Sequence, residues 1–317
     1  MQIYITCPAF SPNGGIRVIL EIANRLNKFH QVTIFNQNNE TKCSWFPINC
    51  RVTNLTHELQ NADLLIISSP HAINLASLKL KAKVIAFIQM MEHLFHPYDL
   101  NFKAKANKFY TNYETIIISQ WGMNEILKLG NRNKIHYLGN GVNFDHFPIS
   151  KAKKDNKTIL LESPVASNAT KDVKKLALKV AHRLRDRYKI IGFGQVAPND
   201  FGDNFVVCPD LKTMNKLYKE ATVMVKATLY DFRSTAPLEA ATKGTVTARA
   251  IMKGDDDLVD MVNCRRVPYN EDELYRATCW LMENTEKRTE LASNFLNLIK
   301  EKTWDYYVEE FRKICER

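Results

Sequence analysis

Val223-Met224-Val225-Lys226-Ala227, followed by Tyr230-Asp231-Phe232-Arg233-Ser234-Thr235-Ala236-Pro237-Leu238-Glu239-Ala240-Ala241-Thr242-Lys243-Gly244-Thr245, reads as an apolar strand, a polar turn and a helix around Leu238 to Lys243. A step of this kind belongs to a mainly parallel sheet covered by helices. The rhythm continues upstream, with strands at Thr158 to Glu162, Lys189 to Phe193 and Phe205 to Cys208. Helices fall at Asp172 to about Arg187 and at Met214 to Ala221. Nearer the N-terminus the same alternation has already run once. An apolar run from Gln2 to Cys7 leads to a turn at Pro8 to Gly15, and then Ile16, Ile19, Leu20, Ile22, Ala23 and Leu26 recur at helical spacing. Buried strands follow at Val32 to Phe35, Leu64 to Ile67, Val84 to Ile88, Ile116 to Ile118 and Lys134 to Tyr137. The hinge between the two runs falls in Ile149 to Lys157, polar, lysine-rich and without periodicity. The α/β chain therefore divides into two Rossmann-like domains, residues 1–150 and 151–303, with a closing segment at 304–317. In that segment Trp304, Tyr307, Val308, Phe311 and Ile314 mark an amphipathic helix that packs against one of the domains.

A length of 317 residues suits two such domains, and 45% hydrophobic with 25% charged residues is a globular composition. No apolar run reaches the roughly 20 residues that cross a bilayer, and no basic stretch precedes an apolar one at the N-terminus. Seven scattered cysteines, none spaced Cys-x-x-Cys, fit a reducing cytoplasm better than a disulfide framework or a zinc site. The net charge of +10 suits a polyanionic partner, although a generally basic solvated surface gives the same figure.

Asp231 and Glu239 flank a turn and a helix start. A carboxylate so placed can accept both hydroxyls of a ribose, and the amides of Ser234 and Thr235 between the two can take a diphosphate. The spacing alone equally suits a Glu239 that only stabilises a helix start. Gly14 and Gly15, directly after the first strand, open the first helix. They let backbone reach an anion or a sugar, or simply make a tight turn. Lys79, Lys81 and Lys83, with Phe102-Lys103-Ala104-Lys105-Ala106-Asn107-Lys108-Phe109-Tyr110, interleave cations and aromatics, as phosphate-binding faces and ordinary solvated helices both do. Asp255-Asp256-Asp257 reads as the cap of a helix from Leu258 rather than a metal site.

The run from Asp231 to Gly244 resembles the signature of the large retaining GT-B glycosyltransferase family, which includes bacterial mannosyl-, glucosyl- and rhamnosyltransferases. That pattern is a Glu, seven residues, a second Glu, then Ala-x-Ala-x-Gly and a short strand. Gly14-Gly15-Ile16 is similar to the family's N-terminal glycine loop. Gly139-Asn140-Gly141-Val142-Asn143 is similar to the segment ending its N-terminal domain, and Trp304 to Tyr307 to the start of its C-terminal helix. The resemblance implies two Rossmann-like domains facing each other across a cleft. It implies a hexosyl- or pentosyltransferase using a nucleoside diphosphate sugar, without a metal or other cofactor. In it Glu239 holds the donor ribose, Asp231 faces the transferred sugar, and the N-terminal domain binds the acceptor.

The departures fall at the charges. Asp231 is shorter than the family's Glu. The usual Arg after the first strand of the second domain is missing from Leu161-Glu162-Ser163-Pro164, while Lys171 sits where the family has its Lys. Arg233 has the fork to replace the Arg. Gln89 and Glu92 match a Gln-x-x-Glu that some members resembling rhamnosyltransferases carry in the acceptor domain, with His93 beside them. For the acceptor two readings stand: a hydroxymethylated base in duplex DNA, as in phage enzymes of this fold acting in the host cytoplasm, or a lipid-linked, capsular or cell-surface glycan at an anionic membrane. With no apolar docking patch evident in the sequence, DNA is favoured, and Lys103, Lys105, Lys108 and His93 are the acceptor-binding candidates. A third reading, a fold-preserving binding protein without catalysis, rests on the short Asp231 and the missing Arg. The oligomeric state is not legible.

Overall fold

Strand β1 (Gln2–Cys7) lies inside a seven-stranded sheet whose other members are β2 (Gln31–Asn36), β3 (Arg51–Thr53), β4 (Leu64–Ile67), β5 (Lys83–Ile88), β6 (Glu114–Ile117) and β7 (Ile135–Tyr137). All pairs are parallel, in the order β3-β2-β1-β4-β5-β6-β7. The helices of this unit are α1 (Gly14–Leu26), α2 (Ile73–Ala76), α3 (Leu100–Thr111) and α4 (Gln120–Lys128). A second sheet holds β8 (Thr158–Glu162), β9 (Lys189–Gly194), β10 (Phe205–Val207), β11 (Val223–Asp231), β12 (Val246–Gly254) and β13 (Arg265–Val267), in the order β10-β9-β8-β11-β12-β13. Its helices are α5 (Lys171–Leu184), α6 (Leu211–Glu220), α7 (Thr235–Ala241), α8 (Glu271–Glu283) and α9 (Thr285–Lys300), and α10 (Trp304–Cys315) follows. This computed structural model describes residues 1–78, 80–150, 154–163, 171–198, 201 and 204–317, with the backbone alone at 171–175.

The strands read as continuous apolar runs because parallel sheets are covered on both faces. In the second unit the period-two alternation sorts them. Ile159, Leu161, Val223, Val225, Val246 and Ala248 pack towards α5 and α8, while Leu160, Phe193, Met224 and Tyr218 form the opposite core. Helix α1 begins where the Asn13 side chain accepts a hydrogen bond from the Ile16 amide at 2.9 Å, an N-cap worth about 1 kcal/mol.

The chain divides between Asn140 and Gly141, ten residues before the boundary read from the sequence, and α10 returns to the first unit. Val142 and Phe147 are buried with the second unit, which explains the earlier break. The lysine-rich stretch that looked like a hinge is tied down in part. Lys154 Nζ donates to the carbonyls of Tyr218 and Lys219 and to Thr245 Oγ1 at 2.8–3.2 Å. Helix α10 buries Trp304, Val308, Phe311 and Ile314, and the Phe311 ring meets Phe87 of β5 edge-on at 5.6 Å. Beside it Arg25 of α1 reaches Asp305 at 3.0 Å. No helix forms from Leu258: Leu258 and Val259 are irregular, Asp260 bridges to Cys264, residues 261–263 make a turn, and Asp255 and Asp257 ahead of them are consumed by ion pairs described below. Among the described residues no helix is long and apolar enough to cross a membrane.

Candidate functional site

Both sheets share the order 3-2-1-4-5-6, so in each the direction of winding reverses beside the first strand: between β1 and β4, and between β8 and β11. Ligands of doubly wound sheets bind outside the carboxyl ends of the strands at that reversal. The residues singled out from the sequence fall largely there.

In the second unit β11 runs on to Asp231, so this carboxylate sits at a strand end rather than in a loop. Its Oδ2 lies 3.2 Å from Lys226 Nζ and 2.8 Å from Arg249 Nη2. Lys226 Nζ also reaches Glu162 Oε1, at the end of β8, at 2.6 Å and Ser234 Oγ at 2.8 Å. Arg249 Nη1 meets Asp255 Oδ2 at 2.6 Å. Burial works to raise Asp231, but Lys226 and then Arg249 outweigh it and hold the carboxyl below its usual range. Asp255 has the opposite fate: burial pushes it up to about 7 although Arg249 works against the rise.

Glu239 is buried on α7 and accepts from Tyr218 Oη at 3.0 Å. Arg233, also buried, forms its ion pair with Asp257, which Lys302 holds from another side at 2.6 Å. Thr235 opens α7, with Ser234 in the N-cap position. Lys171 opens α5, and its side chain lies outside the described residues. The structure thus gathers Asp231 and Ser234 around Lys226, and it places Glu239 and Arg233 with partners of their own. Among the described residues no group of three or more His, Cys, Asp or Glu is arranged to hold a metal ion.

In the first unit Gly14 and Gly15 form the first turn of α1, and Gln89 Nε2, just past β5, donates to the Gly15 carbonyl at 3.1 Å. A Cβ on Gly15 would meet its nearest neighbour, Asn13 Oδ1, at 3.5 Å, so the fold itself leaves room for a side chain there. Glu92 and His93 begin a 3-10 turn, with the His93 ring 5.5 Å from that of Tyr110 on α3. Burial pushes Glu92 up to about 8, and burial together with Lys103 lowers His93. Lys103, Lys105 and Lys108 are exposed on α3, but that helix runs back from the ligand end of the sheet. At about 1.5 Å per residue Lys108 lies one and a half turns from Lys103. Burial, and after it Lys105, lowers the pKa of His71, whose ring lies 5.0 Å from that of Phe102. Lys83, at the amino end of β5, pairs with Glu114 at 2.8 Å, and Lys79 lies outside the described residues.

Sequence reading gave no site role to Lys226, Arg249, Glu162 or Tyr218, and took Asp255 only as part of a helix cap. The signal was present in two of them: a lysine inside Val223-Met224-Val225-Lys226-Ala227 and an arginine inside Thr247-Ala248-Arg249-Ala250 are charges in strands with no exposed face, and such charges must find partners.

No protein-family model matches the chain, and no curated protein matches it. Solved structures do. HepE from Anabaena, crystallised with UDP and glucose, is similar over 100% of this chain and 99% of its own, at 12% identity and a TM-score of 0.80. Sucrose-phosphate synthase from Thermosynechococcus elongatus matches 99% of this chain and 98% of its own, at 12% identity and 0.81. The chain has the GT-B fold. WaaG, a glycosyltransferase involved in lipopolysaccharide biosynthesis, is similar over 99% of both chains at 12% identity and a TM-score of 0.74.

Proposed function

We propose that this GT-B chain is a nucleotide-sugar-dependent, retaining glycosyltransferase that needs no metal and acts in the cytoplasm on a polyanionic acceptor. The observation that carries the reading is the pair Asp231 and Glu239, one at the carboxyl end of β11 and one on the helix that follows, at the winding reversal of the second sheet. Complexes of HepE with UDP-glucose support a nucleoside diphosphate sugar as donor. Glu239 accepts from the donor ribose, and Asp231 meets hydroxyls of the transferred sugar. The charge that develops on the departing diphosphate is met by the amides of Ser234 and Thr235, by Lys171 and by Arg233. Arg233 can turn to that anion at small cost, because Lys302 remains on Asp257 when it leaves.

The test is a panel of nucleotide sugars followed by thermal shift and by release of nucleoside diphosphate. A true donor at a hundred times its Kd stabilises by about 2.7 kcal/mol. Stabilisation without release in the presence of any acceptor would leave a binding protein, and neither effect with any donor would remove the reading.

Two acceptors fit the basic surface. In duplex DNA carrying hydroxymethylated bases, Lys103, Lys105 and Lys108 contact phosphates without reading sequence. The second reading gains from the structure itself: Tyr98 and Leu100, at the start of α3, are 92% and 76% exposed beside Lys103, an apolar tip with a cation of the kind that enters an anionic membrane. Under the DNA reading, log affinity for duplex falls with log salt at about −0.9 per phosphate neutralised, and replacing the three lysines by alanine flattens that slope and raises the acceptor KM while donor hydrolysis persists. An unchanged slope in the triple variant, or no mass gain on hydroxymethylated DNA with any donor, ends the DNA reading. Salt-sensitive binding to phosphatidylserine vesicles that is lost in Tyr98→Ala/Leu100→Ala selects the membrane.

A further inference from the structure

Lys226 of β11 and Arg249 of β12 are register partners, two cations side by side in adjacent buried strands whose side chains keep 7% and 0% exposure. Like charges set opposite each other in a sheet oppose folding unless anions intervene. Here Glu162, Asp231 and Asp255 intervene, and Asp231 is the carboxylate that both cations share. Both use the same oxygen, Oδ2. Among the described residues Oδ1 makes no hydrogen bond, and the Asp231 side chain, 19% exposed, is open to ligand at the strand end. Holding the sheet together does not call for this arrangement. Val225, Ala227, Ala248 and Ala250 serve the same two strands as apolar residues, and buried ion pairs are often no better than such packing.

We propose that Lys226 and Arg249 are positioning residues for the sugar-contacting carboxylate: they clamp Asp231 through Oδ2 and leave Oδ1 to accept from hydroxyls of the transferred sugar. The inference rests on the glycosyl-transfer reading above and extends it to two residues outside the carboxylate loop. The clamp replaces freedom with rigidity at a position where the side chain is one methylene shorter than the Glu of the resembled signature. The groups facing Asp231 are Glu162 from β8, Lys226 on its own strand, Arg249 from β12 and Asp255 from the turn after it. Burial and the neighbouring acids raise its affinity for a proton, and the two cations lower it. Removing a cation therefore moves its titration upward in pH.

The experiment compares parent, Lys226→Met, Lys226→Arg and the charge-balanced Lys226→Met/Glu162→Gln, the last keeping a folded protein in hand if the single variant does not fold. With the best nucleotide sugar, parent kcat shows no acid limb from Asp231 above the usual carboxylate range, since the two cations hold the carboxylate ionised there. Both methionine variants are expected to lose at least about tenfold in kcat on the plateau, because the carboxylate is no longer held in place, and to show an acid limb at higher pH than the parent's. Donor KM stays within about threefold because Glu239 is untouched. Lys226→Arg restores most of the rate. Independently of activity, the Asp231 carboxyl carbon, assigned in 13C-aspartate protein through Asp231→Asn, should titrate higher in the double variant than in parent. Identical Asp231 titration together with an unmoved acid limb overturns the clamp. A parent that releases nucleoside diphosphate from no donor overturns the transfer reading instead, and the carboxyl titration still decides whether the cations hold Asp231.

Discussion

Glu239→Ala is expected to weaken nucleoside diphosphate binding by about 2–4 kcal/mol, roughly thirtyfold to a thousandfold in Kd, the scale for removing the charged partner of a buried hydrogen bond. The substitution removes the carboxylate and with it the acceptor of the Tyr218 hydroxyl, which donates to Glu239 Oε2 at 3.0 Å from a fully buried position. Removing the acceptor of a buried hydrogen bond costs about 1–3 kcal/mol of stability. Tyr218→Phe separates the two contributions, because it frees the carboxylate from its support without deleting it. Glu239→Gln is milder than alanine, since the amide oxygen still accepts from one ribose hydroxyl. Calorimetry on folded Glu239→Ala decides the matter: an affinity for the nucleotide equal to the parent's removes Glu239 from the donor site.

Gly254→Ala is expected to be the most damaging single change for the fold of the second unit. Gly254 ends β12 at φ +95°, and a Cβ there would lie 1.7 Å from the carbonyl oxygen of Asp231, its register partner. Left-handed backbone costs a side chain about 1–3 kcal/mol, and overpacking adds a similar amount. In a domain of this size each kcal/mol lowers Tm by about 2–4 °C. Gly244 is the control: its φ is +71°, but nothing lies within 4 Å of a Cβ, so Gly244→Ala carries the backbone cost alone. If the two variants melt together, the crowding at Asp231 is not real. Where Gly254→Ala folds at lower temperature, its Asp231 carbonyl has been pushed aside, and donor turnover falls with it.

What could be read from the sequence follows the physics of each element. The strands Gln2–Cys7, Leu64–Ile67 and Thr158–Glu162 stand where the apolar runs placed them, because a strand covered on both faces leaves nothing ambiguous. Arg51–Thr53 and Arg265–Val267 went unread: unlike Phe205–Val207, these two edge strands of three residues carry no apolar run and exist because a neighbour offers them hydrogen bonds. The polarity of 149–157 suggested a hinge, yet Lys154 in it supplies a partly buried side-chain contact to Thr245, which composition does not reveal. Asp255 and Asp257 suggested a helix cap because carboxylates favour that place. Their partners Arg249 and Arg233 are 6 and 24 residues earlier, and proximity of that kind belongs to the sheet rather than to local sequence. The Asp231-to-Glu239 spacing was visible, whereas the cations that define the electrostatics of Asp231 were hidden in strands that read as mere core.

The return of α10 to the first unit has a temporal meaning. The chain that emerges from a ribosome offers all of β1 to β7 before the helix that covers Phe87 exists, and the whole of Gly141–Thr303 is made in between. At about 5–20 residues per second that interval lasts roughly 8–30 s, long compared with the folding of a small domain. The second unit can complete itself on emergence, while the first waits with an apolar strip along α1 and β5 uncovered. Its exposure to chaperones, and its risk of joining a neighbouring nascent chain, is therefore greatest during synthesis of a unit in which it has no part.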